Sequence, residues 1–363
     1  MTLDPSNPLS TQFLAEVQAS LDRFCDEQRS KWTSLTADRM SLLWDQLDHF
    51  LQAGKRIRPA FCYWAYVAVE GSHPTSPGII DVAASLDLLQ GFALIHDDLI
   101  DASDTRRGSP SAHRFFEGYH ASQSWLGDSE HFGTSSAILL GDLLFAWSVS
   151  MVEKADVPPE RLARARSYLD EVRTEVLAGQ FLDLLIETRP LNPSTLIDDA
   201  CFVMEFKTAK YTVTRPMMVG AGLALASEHI LQGFEIFGAH VGRAFQMRDD
   251  LLGLFGDSEV TGKPSGDDLR SGKKTVVIGY ALQDASHRDA ERLTHMLGNP
   301  DLTQDDIDQA RQILVDCGAV DRTQRAITQA AEAGIKILDS CHLSSEGHLG
   351  LVGLVQACVE RSA

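Results

Sequence analysis

Positive charge is what this chain has least of: 32 lysines and arginines stand against 51 aspartates and glutamates, a formal net charge of −19 over 363 residues. Nucleic acid is excluded as a partner on that ground, because binding it needs a basic field. Cysteine is sparse as well. The six thiols (Cys25, Cys62, Cys201, Cys317, Cys341 and Cys358) are scattered, with no Cys-x-x-Cys pair and no zinc-compatible histidine spacing, so they read as reduced side chains. No run of roughly eighteen or more apolar residues occurs, and Met1-Thr2-Leu3-Asp4-Pro5 lacks the blocks of a secretory signal. A soluble cytoplasmic protein with no integral membrane segment is expected.

What is present is helical periodicity. Phe13, Val17, Leu21 and Phe24 recur at helix spacing, as do Leu42, Leu43, Leu47 and Leu51, and no stretch alternates convincingly like a strand. Thr275-Val276-Val277-Ile278 is the best β candidate, but it fits a buried helix at least as well. Breaks are expected at 71–78, 127–133, 158–159, 189–193 and 256–272, where glycine and proline gather. With 44% hydrophobic residues and no repeat or long linker, the chain reads as one all-α domain over 1–363. About a dozen helices would surround a central apolar cavity, with residues 1–30 a possible helical appendage.

Two acidic pairs lie in helix-like apolar stretches: Leu94-Ile95-His96-Asp97-Asp98-Leu99-Ile100-Asp101 and Phe245-Gln246-Met247-Arg248-Asp249-Asp250-Leu251-Leu252. Carboxylates on apolar helix faces are costly unless a cation compensates them. Asp97 and Asp101, one turn apart, share a face, with Asp98 rotated by about 100°. The chain has five Asp-Asp pairs, starting at 97, 198, 249, 267 and 305, so either motif alone is weak. Basic elements bracket the first one. Gly54-Lys55-Arg56-Ile57-Arg58-Pro59 lies upstream, and Arg106-Arg107 follows, able to grip phosphate oxygens. His96 and His113 lack metal-ligand spacing to each other and read as structural hydrogen-bonding groups.

In this order the motifs resemble those of the isoprenyl diphosphate synthases, the trans-prenyltransferase family, from Gly54 to about Thr275. The resemblance implies a condensation of isopentenyl diphosphate with an allylic diphosphate by ionisation, condensation and elimination. Three Mg²⁺ ions would be held by Asp97, Asp98 and Asp101 and by Asp249 and Asp250. Isopentenyl diphosphate would be gripped by Lys55, Arg58 and Arg107, with Arg106 turned to the allylic diphosphate. Gln180, Lys207, Thr208, Gln246, Lys263 and Lys273 complete the implied site, Thr208 and Gln246 flanking the developing cation. The pattern departs from the family at Gly253, where a third aspartate is frequent and Asp257 lies one turn further on. It departs again at Gln90, where many relatives carry histidine.

In the family, chain length is read upstream of the first motif. Here the fifth position before Asp97 is Phe92, the fourth is Ala93 and the eighth is Leu89. An aromatic at the fifth and a small residue at the fourth resemble synthases that stop at geranylgeranyl diphosphate, which is therefore the expected product. The alternatives are a farnesyl or longer-chain synthase, a class I terpene cyclase, or a non-catalytic subunit of a synthase. A homodimer is implied as well.

Overall fold

The computed structural model describes residues 3–52, 54–256 and 266–360. Among them regular structure is almost all helix: α1 (Thr11–Thr36), α2 (Ser41–Leu51), α3 (Ile57–Glu70), α4 (Gly78–Ile100), α5 (Ala112–Ser122), α6 (Ser129–Lys154), α7 (Pro159–Thr188), α8 (Leu196–Val203), a π-helix (Met204–Thr214), α9 (Arg215–Leu223) and α10 (Glu228–Phe255), with further helices to Val359. Strand appears as one two-residue hairpin, β1 (Thr105–Arg106) against β2 (Ser109–Pro110), in which Thr105 pairs with Pro110 and Arg106 with Ser109. The open case at 275–278 resolves as helix. Thr275 caps Val276–Asp284, its side chain accepting from the Ile278 N–H, which serves one of the orphan donors a helix start leaves.

The expected breaks at 71–78, 158–159 and 189–193 fall between helices. Gly133 does not break one. It lies inside α6, where an added Cβ would stand 2.4 Å from the His113 carbonyl oxygen, so its absence of side chain serves packing.

The chain gathers into two compact units: Met1–Asp170, Pro216–Leu231 and His342–Leu354 form the first, and Glu171–Arg215, Gln232–Cys341 and Val355–Ala363 the second. In the first unit α1 is core and not an appendage, because Phe13, Val17 and Leu21 are fully buried. Phe13 packs on Tyr63, and Tyr63 meets Trp64 edge-on. The same core takes in the far end of the chain. Trp64 donates from Nε1 to the Pro8 carbonyl, a Cβ on Gly350 would stand 2.4 Å from the Trp64 ring, and Ser344 donates to the Val67 carbonyl across 277 residues of sequence.

Helix α4 is apolar nearly all round and mostly buried, as a core helix must be. It and α6 are each long and apolar enough to cross a membrane, with mean hydropathy 1.6, but 78% of the α4 window is buried inside the protein and 44% of the α6 window. The core of the second unit is built from Leu196, Ala244, Leu251, Leu254, Leu269, Val277, Ile307, Leu314 and Ile327 among others.

Candidate functional site

In the first unit the acidic motif sits at the end of α4, with Asp101 as its C-cap. That is the negative pole of the helix, where a carboxylate is disfavoured by roughly 0.3–1 kcal/mol. No basic residue occupies the last turn to offset it. Asp98 points inward, 1% exposed, and takes both bonds of a bidentate pair from Arg106, Nε to Oδ2 at 2.5 Å and Nη2 to Oδ1 at 2.6 Å. Arg106 also lies 3.7 Å from Asp97. Asp97 and Asp101 are half-buried. The two remaining carboxylates of the motif thus lie on one face, as the spacing implied, while the middle one holds the following loop.

That loop is the hairpin, and its two tip residues both have positive φ, 54° at Arg107 and 74° at Gly108. Such a pair is the mark of a type I′ turn, which suits the right-handed twist of a two-residue hairpin. The price is a left-handed arginine. Arg107 is exposed, its guanidinium 5.9 Å from the Phe50 ring. A cavity of about 90 Å³ lies alongside, lined by His49, Phe50, Arg106, Arg107 and residues 109–112. It opens on the N-terminus of α5, a positive pole suited to anions.

The second basic element folds by the same logic. Arg56 has φ 51° and turns inward, 6% exposed, where Nη1 donates to Asp87 Oδ2 at 2.8 Å. Its neighbours are left at the surface: Lys55 is exposed and Arg58, in the first turn of α3, is half-buried. Sequence reasoning singled out Lys55 and Arg58 and passed over Arg56, whose buried pair with Asp87 fixes the loop that presents them. Gln90 and Ala93 are half-buried on α4, while Leu89 and Phe92 are buried. The histidines are engaged as expected, His96 with the Ile138 carbonyl and His113 with Ser111.

In the second unit Lys207 and Thr208 lie on the π-helix, the rare wider helix that recurs at functional sites. Three glycines admit it closely. A Cβ would stand 2.5 Å from Lys207 N at Gly179, 2.3 Å from Ala209 Cα at Gly242 and 2.1 Å from Thr214 Oγ1 at Gly238. Lys207 donates to Asp183, and Gln180 lies half-buried on the same helix, α7. Thr208 donates to Gln246 Oε1, and Gln246 Nε2 donates to Asp250 Oδ1 at 2.8 Å, a relay that fixes the amide and one carboxylate oxygen.

Asp249 and Asp250 lie in the last two turns of α10, again at a negative pole. Asp249 is half-buried. Asp250 is 7% exposed, and burial pushes its pKa up to about 8, aided by the charges of Asp268 and Asp249 and opposed by Gln246 and Lys273. The missing third aspartate has a structural explanation. A Cβ on Gly253 would lie 2.0 Å from Asp268 Oδ2, so the space is already filled by a carboxylate from a later helix. Sequence offered Asp257 for that place, and Asp257 lies outside the described residues, as does Lys263. Lys273, half-buried, is held through its backbone N–H to the Asp268 carbonyl at 2.9 Å.

Among the described residues no three His, Cys, Asp or Glu side chains form a group that could hold a metal ion unaided. The chemistry on offer is therefore a few hard carboxylate donors at helix ends, with lysines and arginines nearby that suit phosphate.

Known proteins resemble this chain over most of its length. The family model for polyprenyl synthetase matches residues 40–314. A geranylfarnesyl diphosphate synthase of Aeropyrum pernix is 32% identical over 79% of this chain and 83% of its own length. A geranylgeranyl diphosphate synthase of Methanosarcina mazei is 30% identical over 79% of each. Among solved structures, geranylgeranyl pyrophosphate synthase from Corynebacterium glutamicum, complexed with isoprenyl diphosphate and magnesium, superposes with a TM-score of 0.91 at 37% identity, covering 99% of this chain and 100% of that one.

Proposed function

The chain belongs to the polyprenyl synthetase family of prenyltransferases, and from that premise we propose a Mg²⁺-dependent synthase that joins isopentenyl diphosphate to an allylic diphosphate, with geranylgeranyl diphosphate as main product. The observation that carries the metal is the placing of Asp97, Asp101, Asp249 and Asp250 at the negative poles of α4 and α10, without a basic residue in either last turn. Mg²⁺ fits either pair, because it is commonly held by one or two carboxylates together with substrate phosphates and not by an all-protein cage. When bound, it supplies Lewis-acid assistance to the departing diphosphate. The magnesium and isoprenyl diphosphate of the Corynebacterium relative support the same reading.

The residues divide the remaining work. Lys55, Arg58 and Arg107 hold the diphosphate of isopentenyl diphosphate, and Gln90 can donate an amide hydrogen to it. Lys207 and Lys273, with Lys263, bind the allylic diphosphate, and Gln180 borders it. Arg106 is placed by Asp98 through Nε and Nη2 and turns its remaining donors, those on Nη1 among them, to the allylic diphosphate. Thr208 and Gln246, bonded to each other through Gln246 Oε1, flank the allylic cation. The allylic C–O bond breaks with release of diphosphate, the double bond of isopentenyl diphosphate attacks the cation, and the released diphosphate takes the proton whose loss restores the alkene.

Product length separates the relatives, which carry different product names at nearly equal identity. Here the pairing of Phe92 with Ala93 supports geranylgeranyl diphosphate. A second copy of the chain completes the proposal. Helix α6 is apolar but less than half buried, and it exposes Ile138 and Leu139 at 43% and 64%, a face suited to a homodimer.

The test is a product assay on purified protein with labelled isopentenyl diphosphate and allylic primers. Asp97→Ala and Asp249→Ala should each slow turnover about a thousandfold, on the order of 4 kcal/mol at about 1.4 kcal/mol per decade, and chelation of Mg²⁺ should do the same. Near-normal turnover in both variants would end the metal reading. A cyclic product from farnesyl diphosphate alone would point to a cyclase instead.

A further inference from the structure

Phe92 is 6% exposed and is held by more than its own helix. Two rings meet it edge-on: His96, one turn on along α4, with centroids 4.7 Å apart and planes at 66°, and Phe145 of α6 at 5.1 Å and 62°. His96 is fixed in turn by α6. Its Nε2 lies 3.2 Å from the Ile138 carbonyl oxygen and 3.8 Å from the Asp142 carboxylate. The ring fits only because residue 141 lacks a side chain, since a Cβ on Gly141 would stand 2.3 Å from Nε2 and 2.4 Å from Cδ2. A second glycine does the reciprocal job on α4. A Cβ on Gly91 would meet Leu144 Cδ1 at 2.9 Å. The close approach of the two helices therefore uses one glycine on each, Gly91 beside Phe92 and Gly141 one turn before Phe145.

We propose that product length is limited jointly by α4 and α6, with Phe145 and the Gly141–His96 seat acting as positioning residues that hold Phe92 across the path of the growing prenyl chain. The inference rests on the synthase reading above and names the residues that give that site its length specificity. Each added isoprene unit buries another five-carbon increment of apolar surface, a larger gain than the cost of turning one phenyl ring to another rotamer. A lone aromatic would be pushed aside. One clamped by two edge contacts inside a close-packed helix pair stays in place, because moving it breaks both contacts.

The product profile of the full chain, supplied with isopentenyl and dimethylallyl diphosphates, tests this in Phe145→Ala, Phe145→Leu, Gly141→Ala, Phe92→Ala and the double variant Phe92→Ala/Phe145→Ala. Phe145→Ala should raise the ratio of the next longer product to the main product about tenfold, with Phe145→Leu and Gly141→Ala moving it the same way. The double variant should match Phe92→Ala alone. The kcat/KM for the first condensation should stay within about threefold in the Phe145 variants, which a general loss of structure would not spare. If Phe145→Ala does not fold, Phe145→Leu carries the test.

An unchanged ratio in the folded Phe145 variants overturns the proposal. So does a double variant with longer products than Phe92→Ala, since Phe145 would then be a barrier in its own right. Wild-type protein that makes no condensation product overturns the synthase reading itself, an outcome distinct from both.

Discussion

Between Arg106 and Arg107 the backbone passes from strand into a left-handed turn, and the two guanidinium groups part company: one is spent on buried Asp98, the other stands exposed at the hairpin tip. Removing one partner of a buried ion pair leaves the other charge uncompensated, at a cost of about 3 kcal/mol or more. Arg106→Ala should therefore lower the midpoint of urea unfolding clearly. Arg107→Ala should leave the unfolding free energy within about 1 kcal/mol of wild type and raise KM for isopentenyl diphosphate at least tenfold. Equal stability losses in the two variants would sink the division of labour. From sequence alone the pair reads as two similar phosphate grips, because what separates them is a φ angle and an inward-facing carboxylate. Gly253 shows the same limit. Its departure from the family pattern is plain in the sequence, but the carboxylate of Asp268 that fills the space arrives through tertiary structure.

At the scale of elements the all-α reading followed from periodicity, and most boundaries followed from glycine and proline. The π-helix did not. Eleven residues are too few for a 3.6-residue period to be told from a wider one, and the glycines that let neighbours approach it closely, Gly179, Gly238 and Gly242, lie on α7 and α10. Nor did sequence single out the anchor at its end. Arg215 makes a bidentate pair with Glu175, both bonds 2.7 Å, and Lys210 adds a third contact at 3.1 Å. Burial alone would raise the pKa of Glu175, but the hydrogen bonds from Arg215 and Lys210 hold it below its usual value. A depressed carboxylate pKa contributes stability that is present above the unfolded value and is lost as pH falls through the folded one. The anchor should thus be intact at neutral pH, and its contribution should begin to fall as pH drops through about 4.5 and be lost below the depressed folded value. Glu175→Gln should cost about 2 kcal/mol at pH 7 and much less at pH 3, measured by urea unfolding at both pH values. A loss independent of pH would show that the charge is not what matters.

For the whole molecule, the proposed homodimer would bring together two chains of net charge −19 each. Apolar burial on α6 must then overcome a repulsion that salt screens, with a Debye length of about 30 Å at 0.01 M and about 8 Å at 0.15 M. The dimer should weaken at low ionic strength, and Leu139→Asp should shift sedimentation toward the monomer at every salt concentration. A wild-type monomer at 0.15 M salt would remove the dimer from the proposal. The packing of Trp64 against both Pro8 and the helix carrying Gly350 bears on how the protein is made. A ribosome adding roughly 5–20 residues per second must continue for some 277 more after Val67 before Ser344 can dock on it. For that interval the aromatic cluster of Tyr63 and Trp64 lacks its final cover, so a nascent chain stalled short of residue 342 is a substrate for chaperones and proteases however well its helices have formed.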